Sequence, residues 1–186
     1  MMKDRAAPDP TALDVPALCR HGVELDGQLP LARMERLSQV LAAASDGAAG
    51  WSARASLVPV TGGEPEMWLD LEAHADVPLQ CQRCLQMLTE HVVIDRRFRF
   101  VRSEEEAAEL DEESEDDVLA LPPRLDLLAL LEDELILSLP IVPRHEICPQ
   151  PLLEPAAEPE EETAAPHPFA ALAALRGRTG GSGTSG

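Results

Sequence analysis

The sequence Met67-Trp-Leu-Asp-Leu-Glu-Ala-His-Ala-Asp76 is the clearest indication of the fold class of this chain. Every second residue of this stretch is apolar, and the residues between them are polar except for Trp68. The apolar set is Met67, Leu69, Leu71, Ala73 and Ala75. Successive side chains of a strand point to opposite faces of a sheet, so this alternation predicts a strand with one buried face. A similar alternation over residues 53–58 precedes the turn-forming residues 61–65, and the two segments together predict a hairpin.

The sequence on both sides of this hairpin extends the sheet and predicts two helices. A tight turn at residues 81–84 leads into a third extended segment over residues 88–102. Helical spacing of Met34, Leu37 and Leu41 predicts a helix that begins near Pro30. A second helix is predicted over residues 125–138, with Asp126 at its start and Pro140 beyond its end. We therefore predict an α+β domain, a small antiparallel sheet flanked by two helices.

The domain organisation follows from shifts in composition along the chain. Residues 1–10 predict a loose N-terminus, and residues 11–149 a single α+β domain. Within it, ten of the fourteen residues of segment 104–117 are acidic, which predicts a solvated or disordered loop. Residues 150–178 predict a Pro/Glu-rich linker with a short apolar segment, and residues 179–186 a flexible tail, so the C-terminal arm is expected to be partly disordered.

The overall charge restricts the classes of partner. The chain has a formal net charge of −19, with 15 basic and 34 acidic residues. A net negative chain is repelled by phosphate at long range, which favours a basic protein partner over bare nucleic acid. No stretch approaches a membrane span, and the first residues lack the apolar core of a signal peptide. We therefore expect a cytoplasmic protein with reduced thiols and no membrane partner.

Three cysteines and one histidine have the spacing of a metal site. Cys81 and Cys84 are separated by two residues, as are His145 and Cys148. Together they would supply the four soft or borderline ligands that zinc prefers, and four protein ligands make such a site structural. The alternative is that these cysteines pack as small apolar residues without a metal.

A second alternative for the Cys-x-x-Cys motif is a thiol oxidoreductase. That chemistry needs the first cysteine at a helix N-terminus after a strand, whereas the segments on both sides of Cys81 and Cys84 have extended patterns. No Ser-His-Asp order, phosphate-binding glycine loop or ordered carboxylate pair is present in the sequence. The sequence therefore predicts no catalytic residues, and we expect the protein not to be an enzyme.

The basic residues concentrate in one part of the sequence. Five arginines are candidate contacts for RNA or for another partner: Arg83, Arg96, Arg97, Arg99 and Arg102. The alternative is that they form ion pairs with acidic segment 104–117. Both can hold if that segment covers the arginines until a partner displaces it.

Four ordered segments of the chain resemble the YceD family of large ribosomal RNA subunit accumulation proteins. They are Leu79-Gln-Cys-Gln-Arg-Cys-Leu85, Phe98-Arg-Phe-Val-Arg-Ser103, the segment from Asp126 to Glu146, and His167-Pro-Phe-Ala-Ala-Leu-Ala-Ala-Leu-Arg176. The resemblance covers roughly residues 10–178. The chain departs from it after Cys148, where some relatives continue with a second close Cys pair.

The resemblance implies a non-enzymatic role in the synthesis, processing or stability of large-subunit ribosomal RNA. The expected partner is a precursor of that RNA, a basic ribosomal protein, or both. An acidic protein that holds a basic ribosomal protein until delivery is the main alternative function.

Overall fold

The computed structural model describes residues 8–149, and in these residues a five-stranded sheet forms the centre of the fold. Its strands are β1 (Glu24–Pro30), β2 (Ala48–Val58), β3 (Glu66–Gln80), β4 (Met87–Val101) and β5 (Asp117–Ala120). They lie in the order β1-β2-β3-β4-β5. The first three pairings are antiparallel, and β5 pairs with β4 in parallel. The predicted α+β class is confirmed, and the sheet is mostly antiparallel.

Four helices accompany the sheet in the described part of the chain. They are α1 (Val15–His21), α2 (Glu35–Ser38), α3 (Glu104–Asp111) and α4 (Leu127–Leu137). The Asp126 carboxylate caps α4 as predicted, by accepting a hydrogen bond of 2.9 Å from the Ala129 N–H. Leu127, Leu131 and Leu135 of α4 are fully buried against the sheet. None of the helices described in residues 8–149 is long and apolar enough to cross a membrane.

The alternation in β3 sorts its side chains onto two faces, as predicted. Leu71 and Ala73 lie in the core, opposite Arg96 and Ile94 of β4. The intervening polar side chains point to the other face of the sheet, where Glu72 is exposed. The hairpin therefore has one buried and one open face.

The helix predicted to begin near Pro30 is corrected by the structure. Leu29 and Pro30 end β1, and Pro30 has an extended conformation with a ψ of 132°. A three-residue 3-10 turn and the single turn of α2 follow. Met34 and Leu37 are nonetheless buried, so the spacing of the apolar residues indicated the buried side chains correctly although the helix was wrong. Pro30 is tolerated in β1 because β1 lies at the edge of the sheet.

The prediction of a loop for segment 104–117 is also wrong. Residues 104–111 form α3, which is capped by the Ser103 hydroxyl accepting from the Glu106 N–H at 3.2 Å. The Glu106 carboxylate in turn accepts from the N–H of Arg102, the residue before the cap, at 3.1 Å, in an arrangement similar to a capping box. Acidic residues in the first turn also interact favourably with the helix dipole. Charge alone therefore did not decide the local structure.

The other predicted boundaries stay predictions. The linker, apolar segment and tail expected over residues 150–186 lie outside the described residues, as does most of the loose N-terminus.

Candidate metal centre

The turn between β3 and β4 carries the first two candidate ligands. The Cys81 N–H donates to the Gln86 carbonyl at 2.9 Å, and the Leu85 N–H donates to the Cys81 carbonyl at 2.9 Å. These bonds fold Cys81 and Cys84 onto one side of a tight turn, as their spacing predicted. Leu85 has a φ of 61°, in the left-handed region that glycine adopts most easily.

The segment that follows α4 carries the other two candidate ligands to this turn. The Gln82 N–H donates to the Pro143 carbonyl at 2.9 Å, which aligns the two backbones. The Arg83 guanidinium donates to the His145 carbonyl at 2.8 Å and to Cys148 Sγ at 3.0 Å. His145 and Cys148 are thereby placed beside Cys81 and Cys84, although 60 residues separate the two pairs in the sequence.

The four side chains converge at one point. One ligand atom from each of Cys81, Cys84, His145 and Cys148 lies within 4.8 Å of all the others. The Sγ atoms of Cys81 and Cys148 are 4.0 Å apart, and Cys84 Sγ is 3.4 Å from His145 Nδ1. Cys81 is fully buried, whereas the other three side chains are partly exposed.

Two of the six separations among the ligand atoms match those of a tetrahedral zinc ion closely, and all six are within 4.8 Å. Zn–S bonds of about 2.3 Å and Zn–N bonds of about 2.0 Å place two sulfurs ~3.8 Å apart, and a sulfur and a nitrogen ~3.5 Å apart. The two measured separations differ from these values by only a few tenths of an ångström. The donor set is also the soft and borderline set that zinc prefers. Without a metal, the contact between Cys84 Sγ and His145 Nδ1 is a hydrogen bond that ties the segment after α4 to the turn.

The surroundings of the cluster shift the pKa values of Cys81 and Cys84 in opposite directions. Burial opposes ionisation of Cys81, but hydrogen bonds from the backbone of Cys84, His145 and Arg83 outweigh it and lower the pKa of Cys81 to about 5. Burial raises the pKa of Cys84, and the neighbouring Cys148 and Cys81 sulfurs add to this effect. The hydrogen bond and charge of Cys148 raise the pKa of Arg83. One thiolate is thus favoured even before a cation binds.

The setting of the Cys-x-x-Cys motif differs from that of thiol oxidoreductases. Cys81 and Cys84 lie in a turn between two antiparallel strands, and not at the start of a helix. A turn gives neither thiol the helix dipole that activates the nucleophile in those enzymes. A Cys-x-x-Cys pair in a tight turn is instead typical of zinc knuckles.

The structure does not bring the five predicted arginines together. Arg83 lies at the turn, with the candidate metal ligands, while the other four lie toward the far end of β4. Arg97 pairs with Asp70 at 3.2 Å and Arg99 with Glu66 at 2.7 Å on the open face. Arg96 pairs with Glu134 of α4 at 3.1 Å on the core side.

These ion pairs also differ from the predicted alternative. The acidic partners come from β3, from α4 and, for Arg102, from Glu64 in the turn before β3. Segment 104–117 contributes only the Glu106 carboxylate, which accepts from the backbone of Arg102. Within residues 8–149, that segment therefore covers no arginine side chain through an ion pair.

Two features of the site were not found from the sequence. Arg83 is a neighbour of the candidate metal ligands, and its position inside the Cys-x-x-Cys motif was the available signal. Glu134 is a buried carboxylate, 6% exposed, and burial raises its pKa despite the opposing charge of Arg96. Glu134 follows Leu131 by three residues and Leu127 by seven, which places it on the buried face of α4, and this spacing was the available signal.

Comparisons with known proteins extend over the region that carries the cluster. Residues 69–176 match the family model described as large ribosomal RNA subunit accumulation protein YceD. A curated relative of that name from Haemophilus influenzae is 36% identical over 105 residues, which cover 54% of this chain and 60% of the relative. No solved structure matches the chain.

The family match includes all four ligands of the cluster, the whole of β4 and the helix α4. It covers more than half of the chain, and it agrees with the four sequence segments quoted above. The chain therefore belongs to the YceD family.

Proposed function

We propose that this protein is a non-enzymatic factor that supports the accumulation of large-subunit ribosomal RNA in the cytoplasm. The observation that carries the proposal is the family match over residues 69–176, since the family is described by that role. The candidate site supports a binding role, because four side chains that complete a tetrahedron leave no open position for a substrate.

The proposal includes a structural zinc ion at Cys81, Cys84, His145 and Cys148. Such an ion would supply stability, by cross-linking the β3–β4 turn to the segment after α4. That segment needs a link of this kind, because Ile141 and Ile147 are 99% and 86% exposed and add little to the core. His145 and Cys148 instead attach the segment through their polar atoms.

A second candidate function is supported by the open face of the sheet. Asp26, Glu72 and Asp95 lie in one row across the strands, since Asp26 is paired with Ser52, Ser52 with Glu72, and Glu72 with Asp95. They line a depression of about 380 Å³ and have no ion-pair partner among residues 8–149.

The arginines near this row are already paired with carboxylates, so the surface offers net negative charge. Negative charge attracts a basic protein and repels RNA phosphate. The open face thus favours the alternative in which the protein holds a basic ribosomal protein during assembly.

One experiment tests both proposals. Tagged full-length protein is captured from cell lysate, with half of the sample treated with nuclease, and the bound RNA and proteins are identified. We expect large-subunit RNA precursors or ribosomal proteins of the large subunit in the untreated half. If neither is enriched over a tagged unrelated acidic protein, the proposed function is wrong.

The nuclease-treated half separates the two modes of action. A basic ribosomal protein that stays bound supports the holding mechanism, and replacing Asp26, Glu72 and Asp95 by their amides should then release it. Loss of all partners with the RNA supports direct RNA binding and overturns the holding mechanism. Arg97→Ala together with Arg99→Ala should weaken capture in that case.

A further inference from the structure

Arg83 occupies an unusual position for an arginine that was expected to contact RNA. Its guanidinium donates three hydrogen bonds to a short piece of chain: to Cys148 Sγ at 3.0 Å, the His145 carbonyl at 2.8 Å and the Glu146 carbonyl at 3.3 Å. All of its donor contacts with the described residues are therefore made to the segment that supplies half of the metal ligands.

The geometry uses the shape of the arginine side chain. The Nε–H points at the sulfur, while the terminal NH2 group reaches two successive carbonyls. A planar guanidinium presents its donors in a fixed fork, so three contacts at once fix both the position and the direction of the segment. A lysine ammonium has no such fork and could satisfy these acceptors only in part.

The charge of Arg83 also matches the charge of the cluster. Three thiolates and one neutral imidazole around Zn²⁺ carry a net charge of −1, and three of these ligands are only partly buried. A guanidinium in contact with one of the sulfurs brings the assembly to neutrality. A hydrogen bond to a ligand sulfur also orients its lone pairs and changes its donor strength.

We propose that Arg83 is a positioning residue for the metal centre, which clamps His145 and Cys148 in place and compensates the charge of the zinc–thiolate cluster. The inference rests on the proposed zinc site. It removes Arg83 from the set of partner contacts predicted from the sequence, because its donors are directed inward.

The test compares three variants of the full-length protein with the wild type: Arg83→Ala, Arg83→Lys and Arg144→Ala. Arg144 is the matched control, an exposed arginine in the same segment that makes no side-chain hydrogen bond or ion pair with residues 8–149. Zinc is added to metal-free protein, bound zinc is quantified by mass spectrometry, and affinity is measured by competition with a chromophoric chelator.

We expect Arg83→Ala to weaken zinc binding about 10- to 100-fold, as removal of an outer-shell partner does in other metal sites. Arg83→Lys should give a smaller loss, since it keeps the charge but not the fork. Arg144→Ala should bind as the wild type does. If Arg83→Ala fails to fold, the lysine variant alone decides: wild-type affinity in it would overturn the inference.

Cobalt spectra supply a readout that a general loss of stability would not change. The thiolate-to-cobalt charge-transfer band of the Co²⁺-loaded protein should move to lower energy in Arg83→Ala, because a sulfur that loses a hydrogen bond becomes a better donor. An unchanged band together with unchanged zinc affinity would show that Arg83 does not act on the cluster.

The outcome for the wild type separates the two proposals. A wild-type protein that binds no zinc with its cysteines reduced would overturn the zinc site, and the role of Arg83 with it. A wild type that binds one zinc, with Arg83→Ala binding equally well, would overturn the role of Arg83 alone.

Discussion

The two ends of the β3–β4 hairpin carry the two sites predicted from the sequence, and they differ in structure. At the turn, four candidate ligands from two distant segments converge within 4.8 Å. Toward the other end, Arg96, Arg97 and Arg99 are sequence neighbours, but each pairs with a different carboxylate. Closeness in sequence was a poor guide to a shared site, and ligand spacing was a good one.

The physical reason lies in the two kinds of local geometry. A tight turn reverses the chain, so residues i and i+3 can direct their side chains at one point. A strand does the opposite, since consecutive side chains point to opposite faces. Arg96 and Arg97 are therefore separated by the thickness of the sheet. Arg96 pairs with Glu134 of α4, whereas Arg97 pairs with Asp70 on the open face.

The largest effect is expected at the turn. Cys81→Ser should abolish stoichiometric zinc binding and lower the free energy of unfolding by roughly 3 kcal/mol or more in zinc-containing buffer, because loss of a metal belongs to the most destabilising class of change. Denaturant unfolding and metal analysis measure the two effects.

Cys19 supplies the control for this prediction. It is a buried thiol outside the cluster, 3% exposed, and its substitution by alanine should reduce stability by about 1 kcal/mol with zinc content unchanged. Equal zinc contents in the Cys81 and Cys19 variants would contradict the assignment of Cys81 as a ligand.

The next effect contrasts two neighbouring arginines of β4. Arg96→Ala leaves the Glu134 carboxylate, whose side chain is 7% exposed, without its partner and should lower stability by roughly 2 kcal/mol. Arg97→Ala removes an exposed pair with Asp70 and a stacking contact with Trp68, and should lower stability by about 1 kcal/mol at most. Urea unfolding of both variants measures the two free energies. Equal decreases in the free energy of unfolding would contradict the predicted difference between the two faces of the sheet.

A smaller effect is expected in the pH dependence of stability. Burial raises the pKa of Glu134 above its ordinary value of 4.5. The folded protein therefore binds this proton more tightly than the unfolded chain does. The stabilising contribution of the protonated form is complete below about pH 4.5 and is lost as the pH rises through the folded pKa.

Glu134→Gln should remove the loss of stability that the wild type shows as the pH rises, because glutamine does not ionise. The free energy of unfolding of the variant relative to the wild type should rise as the pH is raised from about 4.5 through the folded pKa of Glu134, and then stay constant. Unfolding measured at several pH values between 4 and 7 tests this. A constant difference between the two proteins over that range would disprove the raised pKa.

The smallest effect concerns the backbone of the turn. Leu85 has a φ of 61° and a side chain that is 64% exposed, so its replacement by glycine relieves strain and loses little packing. We expect Leu85→Gly to stabilise the protein by about 0.5 kcal/mol, after allowance for the greater freedom of glycine in the unfolded chain. Gln86→Gly should instead destabilise it, because Gln86 has no positive φ to relieve. Thermal unfolding compares the two, and destabilisation by both would argue against strain at Leu85.

Several parts of the fold could be predicted because short-range physics determines them. Alternation specified β3 and its buried face, and the Asp126 cap and leucine spacing specified α4. The short elements α1, β1 and β5 were missed. Seven residues or fewer provide little periodicity, and β5 is formed by parallel pairing with β4, which no local signal reports.

The residue types and spacing of Cys81, Cys84, His145 and Cys148 predicted a candidate ligand set suited to zinc, because ligand type and spacing can be read from the sequence. The meeting of the two pairs is visible only in the folded chain, since it depends on the path of the chain after α4. The same holds for the contact of Arg83 with those candidate ligands and of Arg96 with Glu134. Which carboxylate or thiol an arginine contacts depends on long-range packing, and amino-acid composition does not contain that information.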